Sequence, residues 1–323
     1  MGAALFRDNL PQVGDRLFLT DGGLETTLIF HDGLDLPDFA AFDLLRRPGG
    51  REALLAYFRR YADIARRHRT GLLLETATWR ASADWGARLG YSAGELAAVN
   101  LDAVALIESI RGELQDDTPV VISGCVGPRG DGYTPTHLMT AAEAEAYHAP
   151  QVEAFAGAAA DLVTGITMNY VDEAVGLARA ARQAGMPAVI SFTVETDGSL
   201  ATGQTLQAAI EQVDDQADGA VAYYMVNCAH PTHFAPALRD AAAWTERIRG
   251  IRANASTMSH AELNEAPALD EGDPEALAAQ YVQLRAGLRD FTVMGGCCGT
   301  DHRHVEAIAR ACAPLFGPGI GTA

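Results

Sequence analysis

Three of the five cysteines in this 323-residue chain stand where a thiol can react or bind a metal. Cys297 and Cys298 are adjacent and follow an apolar run and two glycines in Phe291-Thr-Val-Met-Gly-Gly-Cys-Cys-Gly-Thr300, while Cys228 closes a second apolar run ending in Val226-Asn-Cys228. A strand running into Gly295-Gly296 can turn tightly and admit a close neighbour, because glycine has no Cβ to collide. Two adjacent cysteines alone read as small buried apolar residues. A third in the same strand-end setting changes that reading, since three thiolates make a soft donor set suited to zinc. Three protein ligands leave one tetrahedral position open, the arrangement of a catalytic zinc. A closed structural site needs a fourth ligand, which His230 or His302 could supply. The open arrangement is the one we expect.

These thiols meet if the chain closes into a barrel. Eight apolar, β-rich runs, at residues 16–20, 70–75, 119–123, 161–167, 187–193, 219–226, 247–252 and 290–294, alternate with alanine-rich stretches of helical periodicity such as 52–68 and 172–184. That alternation signals a parallel sheet. Eight such units predict a single-domain α/β fold, a (β/α)8 TIM barrel spanning residues 1–323, whose active site lies at the carboxyl ends of the strands. An open doubly wound sheet would carry a Gly-x-Gly-x-x-Gly cradle after its first strand, and Asp21-Gly-Gly-Leu-Glu-Thr26 lacks that spacing. The insertion at 258–274, rich in Asp, Glu and Pro, is expected to be a solvated loop rather than a lid.

Composition narrows the chemistry. The net charge of -18 disfavours nucleic acid and anionic membranes as partners and favours cationic ligands. The chain contains no lysine, which excludes Schiff-base catalysis. No run reaches the roughly 18 apolar residues of a membrane span, no leader is apparent, and the cysteines are too few for a secreted disulfide framework. A cytoplasmic protein is expected. The sequence does not set its oligomeric state.

Asp21-Gly-Gly, Gly127-Pro128, Asn227-Cys228 and above all Gly295-Gly-Cys-Cys-Gly-Thr300 resemble the zinc-dependent homocysteine S-methyltransferases, the group of the S-methylmethionine and betaine enzymes, over nearly the whole chain. The resemblance implies Zn2+ held by Cys228, Cys297 and Cys298. It also implies transfer of a methyl group from a cationic small-molecule donor to a thiol acceptor, by default homocysteine giving methionine, as in methionine biosynthesis. Candidate substrate contacts are Asp21, Gly22 and Glu25 after the first strand, Glu75, Thr76 and Trp79 after the second, and Asn227 and Asn254 after the sixth and seventh. Trp79 and Trp85 could present ring faces to the donor cation. The family's glutamate at the end of strand four, which holds the homocysteine ammonium, is replaced here by Ile166-Thr167, and Glu25 and Glu75 are its candidate substitutes. Of the other cysteines, Cys125 could line the mouth and Cys312 belongs to the core. His302 and His304 suit capping or supporting roles. Rival readings are zinc-assisted hydrolysis or lyase chemistry, and a non-catalytic zinc-binding or redox-sensing barrel.

Overall fold

The computed structural model of the chain describes residues 2–114, 118–239, 242–266 and 268–317. Eight parallel strands run in chain order around a closed barrel: β1 Phe18–Leu19, β2 Gly71–Glu75, β3 Val120–Val126, β4 Leu162–Met168, β5 Ala188–Phe192, β6 Val221–Asn227, β7 Ile248–Ala253 and β8 Val293–Gly296. The fold is the expected (β/α)8 barrel. All eight apolar runs contribute a strand, but β8 begins later than expected because its register is set by two pairs with β1, Phe18 with Val293 and Leu19 with Met294. Gly295 and Gly296 are therefore strand residues. A Cβ there would strike the Thr20 and Thr300 side chains respectively, so these glycines make room for neighbouring threonines rather than for a turn or a ligand. The turn falls on Gly299, at φ 78°.

The barrel interior is apolar at the amino ends of the strands, where Phe18, Leu73, Val121, Leu162, Val189, Tyr223, Met225 and Val293 pack together with Leu10. Side chains two residues on face the same way, so Glu75, Ser123, Thr164, Ser191 and Asn227 rise above Leu73, Val121, Leu162, Val189 and Met225. The other strand face, including Leu72, Leu74, Ile122, Val163 and Ile251, packs against the helices. Burying each such aliphatic side chain contributes about 1.5–3 kcal/mol. A one-residue slip of β2 would exchange Glu75 with Leu74, so this burial fixes which side chains reach the site.

Helices Gly50–His68, Ala93–Glu113, Ala141–Ala156, Val171–Gln183, Leu206–Gln216, Pro274–Gly287 and His302–Cys312 surround the strands. Reciprocal capping by Ser92 with Glu95 and by Thr140 with Glu143 starts the second and third of these. Among the described residues between β6 and β7, the crossover consists of the helical turn Pro231–Phe234 and two 3-10 segments, Ala235–Leu238 and Thr245–Arg247. The arginines that weaken the β7 pattern divide: Arg247 pairs with Asp214 and Arg249 lies near Asp290, whereas Arg252 enters the barrel. The 258–274 insertion departs from the expected solvated loop. Ser259 and Glu262 cap a helix, His260–Glu265, and His260 donates from Nε2 to the Cys228 carbonyl at 2.6 Å, which seats the segment over the barrel mouth. Among the described residues no helix is long and apolar enough to cross a membrane.

Candidate functional site

Cys228 and Cys297 are the first residues beyond β6 and β8, and both are tied to β7: Cys228 N donates to Arg252 O at 3.1 Å and Cys297 N to Ala253 O at 2.8 Å. The Cys298 carbonyl accepts from Ala255 N at 3.1 Å. The three sulfurs lie within 4.8 Å of one another. Cys228 and Cys297 are joined as a disulfide, with Cα atoms 5.4 Å apart, and Cys298 Sγ is 3.9 Å from Cys228 Sγ. Tetrahedral zinc with Zn–S near 2.3 Å spaces its ligand sulfurs about 3.8 Å apart. The Cys228–Cys298 separation fits that spacing, and reduction of the disulfide frees the other two thiolates. Among the described residues this trio is the group able to hold a metal. His230 instead caps the Pro231–Phe234 turn, with burial pushing its pKa down to about 4. His304 closes a capping box with Asp301, and His302 is exposed.

Two strained residues adjoin the cluster. Cys228 has φ 52° and Thr167 has φ 63°, a rare conformation for a β-branched residue that concentrates at functional sites. Asn227 holds Thr167 there, accepting from its backbone N at 3.0 Å and donating to its Oγ1 at 2.9 Å. Asn254 donates to the Cys228 carbonyl at 3.0 Å. Both asparagines brace the loops that carry the sulfurs, and neither lines the cavity.

Beside the cluster lies a buried charge hub. Arg252 donates to Asp21 Oδ1 at 2.6 Å, to Gly22 O and Gly296 O at 3.1 Å each, and to Glu75 Oε2. Asp21 Oδ2 accepts from Tyr57 at 3.0 Å, and Glu75 Oε1 is buried without a partner. Burial alone would lower the Arg252 pKa, but Asp21 and Glu75 reverse the effect and raise it. Burial raises the carboxyl pKa of Asp21, and lifts Glu75 and Glu25 to about 7. Three carboxyl groups share one guanidinium, and Glu25 and Glu75 are in consequence partly protonated near neutral pH. A Cβ on Gly23 would sit 2.6 Å from the Cys297 carbonyl, which is why Asp21 is followed by glycines where this turn meets the cysteine loop.

An inner cavity of about 80 Å³ opens over the three cysteines, walled by Asp21, Gly22, Glu25, Glu75, Thr76, Trp79, Cys125 and Thr167, among others. Outside it lies a chamber of about 240 Å³ lined by Phe30, Phe39, Arg80, His260, Leu263 and Leu269. The two share Glu25, Thr26, Trp79, Tyr133 and Cys298 as a throat. The structure thus brings together all the expected contacts except the two asparagines. The chain's own Arg80 lies over one face of Trp79 and one face of Trp85, at 4.1 and 3.6 Å. Cys125 lines the inner cavity, its thiol pKa pushed well up by burial, and Cys312 is core. Sequence reasoning missed Arg252, Arg80 and Tyr133, whose hydroxyl is 3.7 Å from Cys298 Sγ and whose ring stacks on His260 at 4.1 Å. For Arg252 a signal existed: an arginine at a strand end in a chain with unpaired carboxylates at the ends of β1 and β2.

A sequence model of the homocysteine S-methyltransferases matches residues 18–312. The chain belongs to the homocysteine S-methyltransferase family. Within this methyltransferase family, betaine–homocysteine S-methyltransferase 1 of Rattus norvegicus is 25% identical over 269 residues, 76% of this chain and 61% of the rat protein. The chain therefore spans less than two thirds of that relative's length. The homocysteine methyltransferase MmuM of Escherichia coli has a similar fold: its metallated form superposes with a TM-score of 0.72 at 22% identity, covering 94% of this chain and 98% of MmuM. Its oxidised form gives 0.71 at 23% identity, covering 93% and 97%.

Proposed function

We propose that the protein transfers a methyl group from a cationic donor to the thiol of homocysteine, with Zn2+ held by Cys228, Cys297 and Cys298. The observation that carries this is the convergence of three sulfurs on the floor of a cavity whose walls hold three carboxyl groups. Zinc bound by three thiolates would keep a fourth sulfur deprotonated and electron-rich at neutral pH, where a free alkyl thiol is mostly protonated. The chain's own residues do the rest. Glu25 and the unpartnered Glu75 Oε1 replace the family's strand-four glutamate as acceptors for the substrate ammonium. Trp79 and Tyr133 at the throat, with Ile166 on the inner cavity wall, exclude water, so that donor carbon and acceptor sulfur meet in line. Methyl leaves the onium with its bonding electrons remaining on the donor heteroatom, and the new C–S bond uses a sulfur lone pair. The test is a screen of S-methylmethionine, S-adenosylmethionine and betaine against homocysteine and other thiols, with products read by mass spectrometry. No methylated thiol from any pair would sink the reading.

The Cys228–Cys297 disulfide favours one second reading, a redox-responsive barrel. Zinc stoichiometry combined with thiol titration separates the two. A methyltransferase loses its metal on oxidation and recovers both metal and turnover on reduction, whereas a sensor cycles its disulfide without metal.

A further inference from the structure

The helix His260–Glu265 is fastened to the barrel chiefly through one side chain. Its capping bonds, between Ser259 and Glu262, stay within the segment. His260 carries the hydrogen bonds that leave it: Nε2 donates to the Cys228 carbonyl at 2.6 Å, and Nδ1 faces Glu195 Oε1 at 3.4 Å. The imidazole is 8% exposed and stacks on Tyr133 at 4.1 Å, whose hydroxyl is 3.7 Å from Cys298 Sγ. Tyr133 comes from a different loop, the one after β3. There Asp131 Oδ1 accepts from the Tyr133 and Thr134 amides at 2.9 Å each, and Asn169 donates to the Asp131 and Gly132 carbonyls at 3.0 and 2.9 Å. Two loops therefore meet in one stack above the sulfurs, and each ring touches a different cysteine.

Both cysteines need a hold. The φ of 52° at Cys228 is a conformation that persists only where the surroundings impose it. Its carbonyl accepts from Asn254 at 3.0 Å, from Thr193 at 3.5 Å and, at the shortest distance, from His260. Thr193 and Asn254 directly follow β5 and β7, whereas His260 belongs to the inserted segment. Cys298 meets the same segment at its next residue, where a Cβ on Gly299 would sit 2.6 Å from the Asp270 carbonyl. As a thiolate Cys298 can only accept, so the Tyr133 hydroxyl donates to it, which directs the sulfur and draws charge from it. We propose that Tyr133 and His260 are positioning residues for the metal centre, and that together they latch the helix His260–Glu265 onto two of the three zinc ligands. The inference rests on the reading of Cys228, Cys297 and Cys298 as ligands and adds the inserted segment to what holds them. Such coupling is reciprocal: a seated helix tightens metal binding, and bound metal seats the helix.

The experiment uses the reduced whole chain with zinc or cobalt and no substrate. Wild type, Tyr133→Phe, His260→Phe and His260→Gln are compared by zinc competition against a chelator, by absorption of the cobalt-loaded protein and by amide exchange at residues 260–265. His260→Phe keeps a ring to stack but loses the donor. It should weaken zinc about ten- to hundredfold, the range for removing a group that orients a metal ligand, and His260→Gln, which keeps a donor, should recover part of the loss. Tyr133→Phe should move the sulfur-to-cobalt charge-transfer band to longer wavelength, because a sulfur without its donor holds its lone pairs less tightly. Zinc should slow exchange across the helix in wild type and lose that effect in His260→Phe. Zinc affinity unchanged in His260→Phe, an unshifted band in Tyr133→Phe, or wild-type exchange at 260–265 indifferent to zinc would overturn the latch and leave the ligand trio standing. If His260→Phe does not fold, the Tyr133→Phe band and the wild-type exchange decide. A reduced wild type that binds neither metal would refute the ligand assignment and the latch with it.

Discussion

Replacing Arg252 by methionine should expose how the site's charge is balanced. The guanidinium is 6% exposed and bridges Asp21 and Glu75, themselves 2% and 5% exposed. Removing one partner from such a buried network costs about 3–5 kcal/mol, a large part of the roughly 5–15 kcal/mol that holds a domain folded. The sign with pH follows from the carboxyl groups. Burial already raises Glu75 to about 7 from 4.5, and Arg252 opposes that rise, so its loss moves both carboxyl groups further up. A carboxyl raised in the folded state destabilises the fold above its folded pKa and contributes nothing below its unfolded value, where both states are protonated. Each further unit of rise adds about 1.4 kcal/mol to the deficit at high pH. Urea unfolding should therefore find the Arg252→Met protein much weaker than wild type at pH 8. For Glu75 the gap should narrow as pH falls from the variant's raised value toward about 7, below which both folded proteins hold that carboxyl protonated. The triple variant Arg252→Met/Asp21→Asn/Glu75→Gln should recover most of the loss at pH 8. An equal deficit at pH 8 and pH 5.5, with no recovery in the triple variant, would refute an electrostatic role and leave lost packing as the cause.

Purified, reduced protein should carry about one zinc per chain by metal analysis. Cys228→Ala, Cys297→Ala and Cys298→Ala should each lower the content, with Cys312→Ala as the unaffected control. Loading zinc without reductant should fail in proportion to the Cys228–Cys297 disulfide present, as counted by thiol titration, because that bond consumes two of the three ligands. Glu25→Gln should weaken binding of an ammonium-bearing substrate by about 1.5–3 kcal/mol and spare the zinc. Because burial raises Glu25 to about 7, its ionised form accumulates as pH rises through that value. Wild-type affinity should climb between pH 6 and pH 8 while the glutamine variant stays flat.

The convergence of Cys228, Cys297 and Cys298 was legible because each follows an apolar run or its neighbour, and a parallel barrel sends every such run's end to one face. Glu25, Glu75 and Trp79 were legible for the same reason. What the chain conceals is who occupies whom. Arg252 meets Asp21 from 231 residues away, and its own strand reads as weakened by arginines rather than centred on one. Trp79 is on the wall, but its adjacent residue Arg80 covers one face of the ring. Tyr133 and His260 stand on segments without periodicity, so nothing local foretells that they stack. The short helical segments after β6 follow from Pro231 and Pro236, which interrupt a helix there. The later start of β8 was hidden because pairing with β1 sets it.

That pairing joins the two ends of the chain through a strand of two residues, with Phe18 N donating to Thr292 O and Thr20 N to Met294 O at 2.8 and 2.9 Å. Asp21 and Gly23 stand on one side of this seam, Cys297 and Cys298 on the other. We expect so short a closure to be the place where the barrel opens most readily. Any ligand gripping both sides works as a clasp on the protein as well as a reactant, stabilising the closed ring by mass action. Amide exchange at Phe18 and Thr20 should slow when the pocket is filled, and exchange there indifferent to ligand would mean that the seam stays shut unaided.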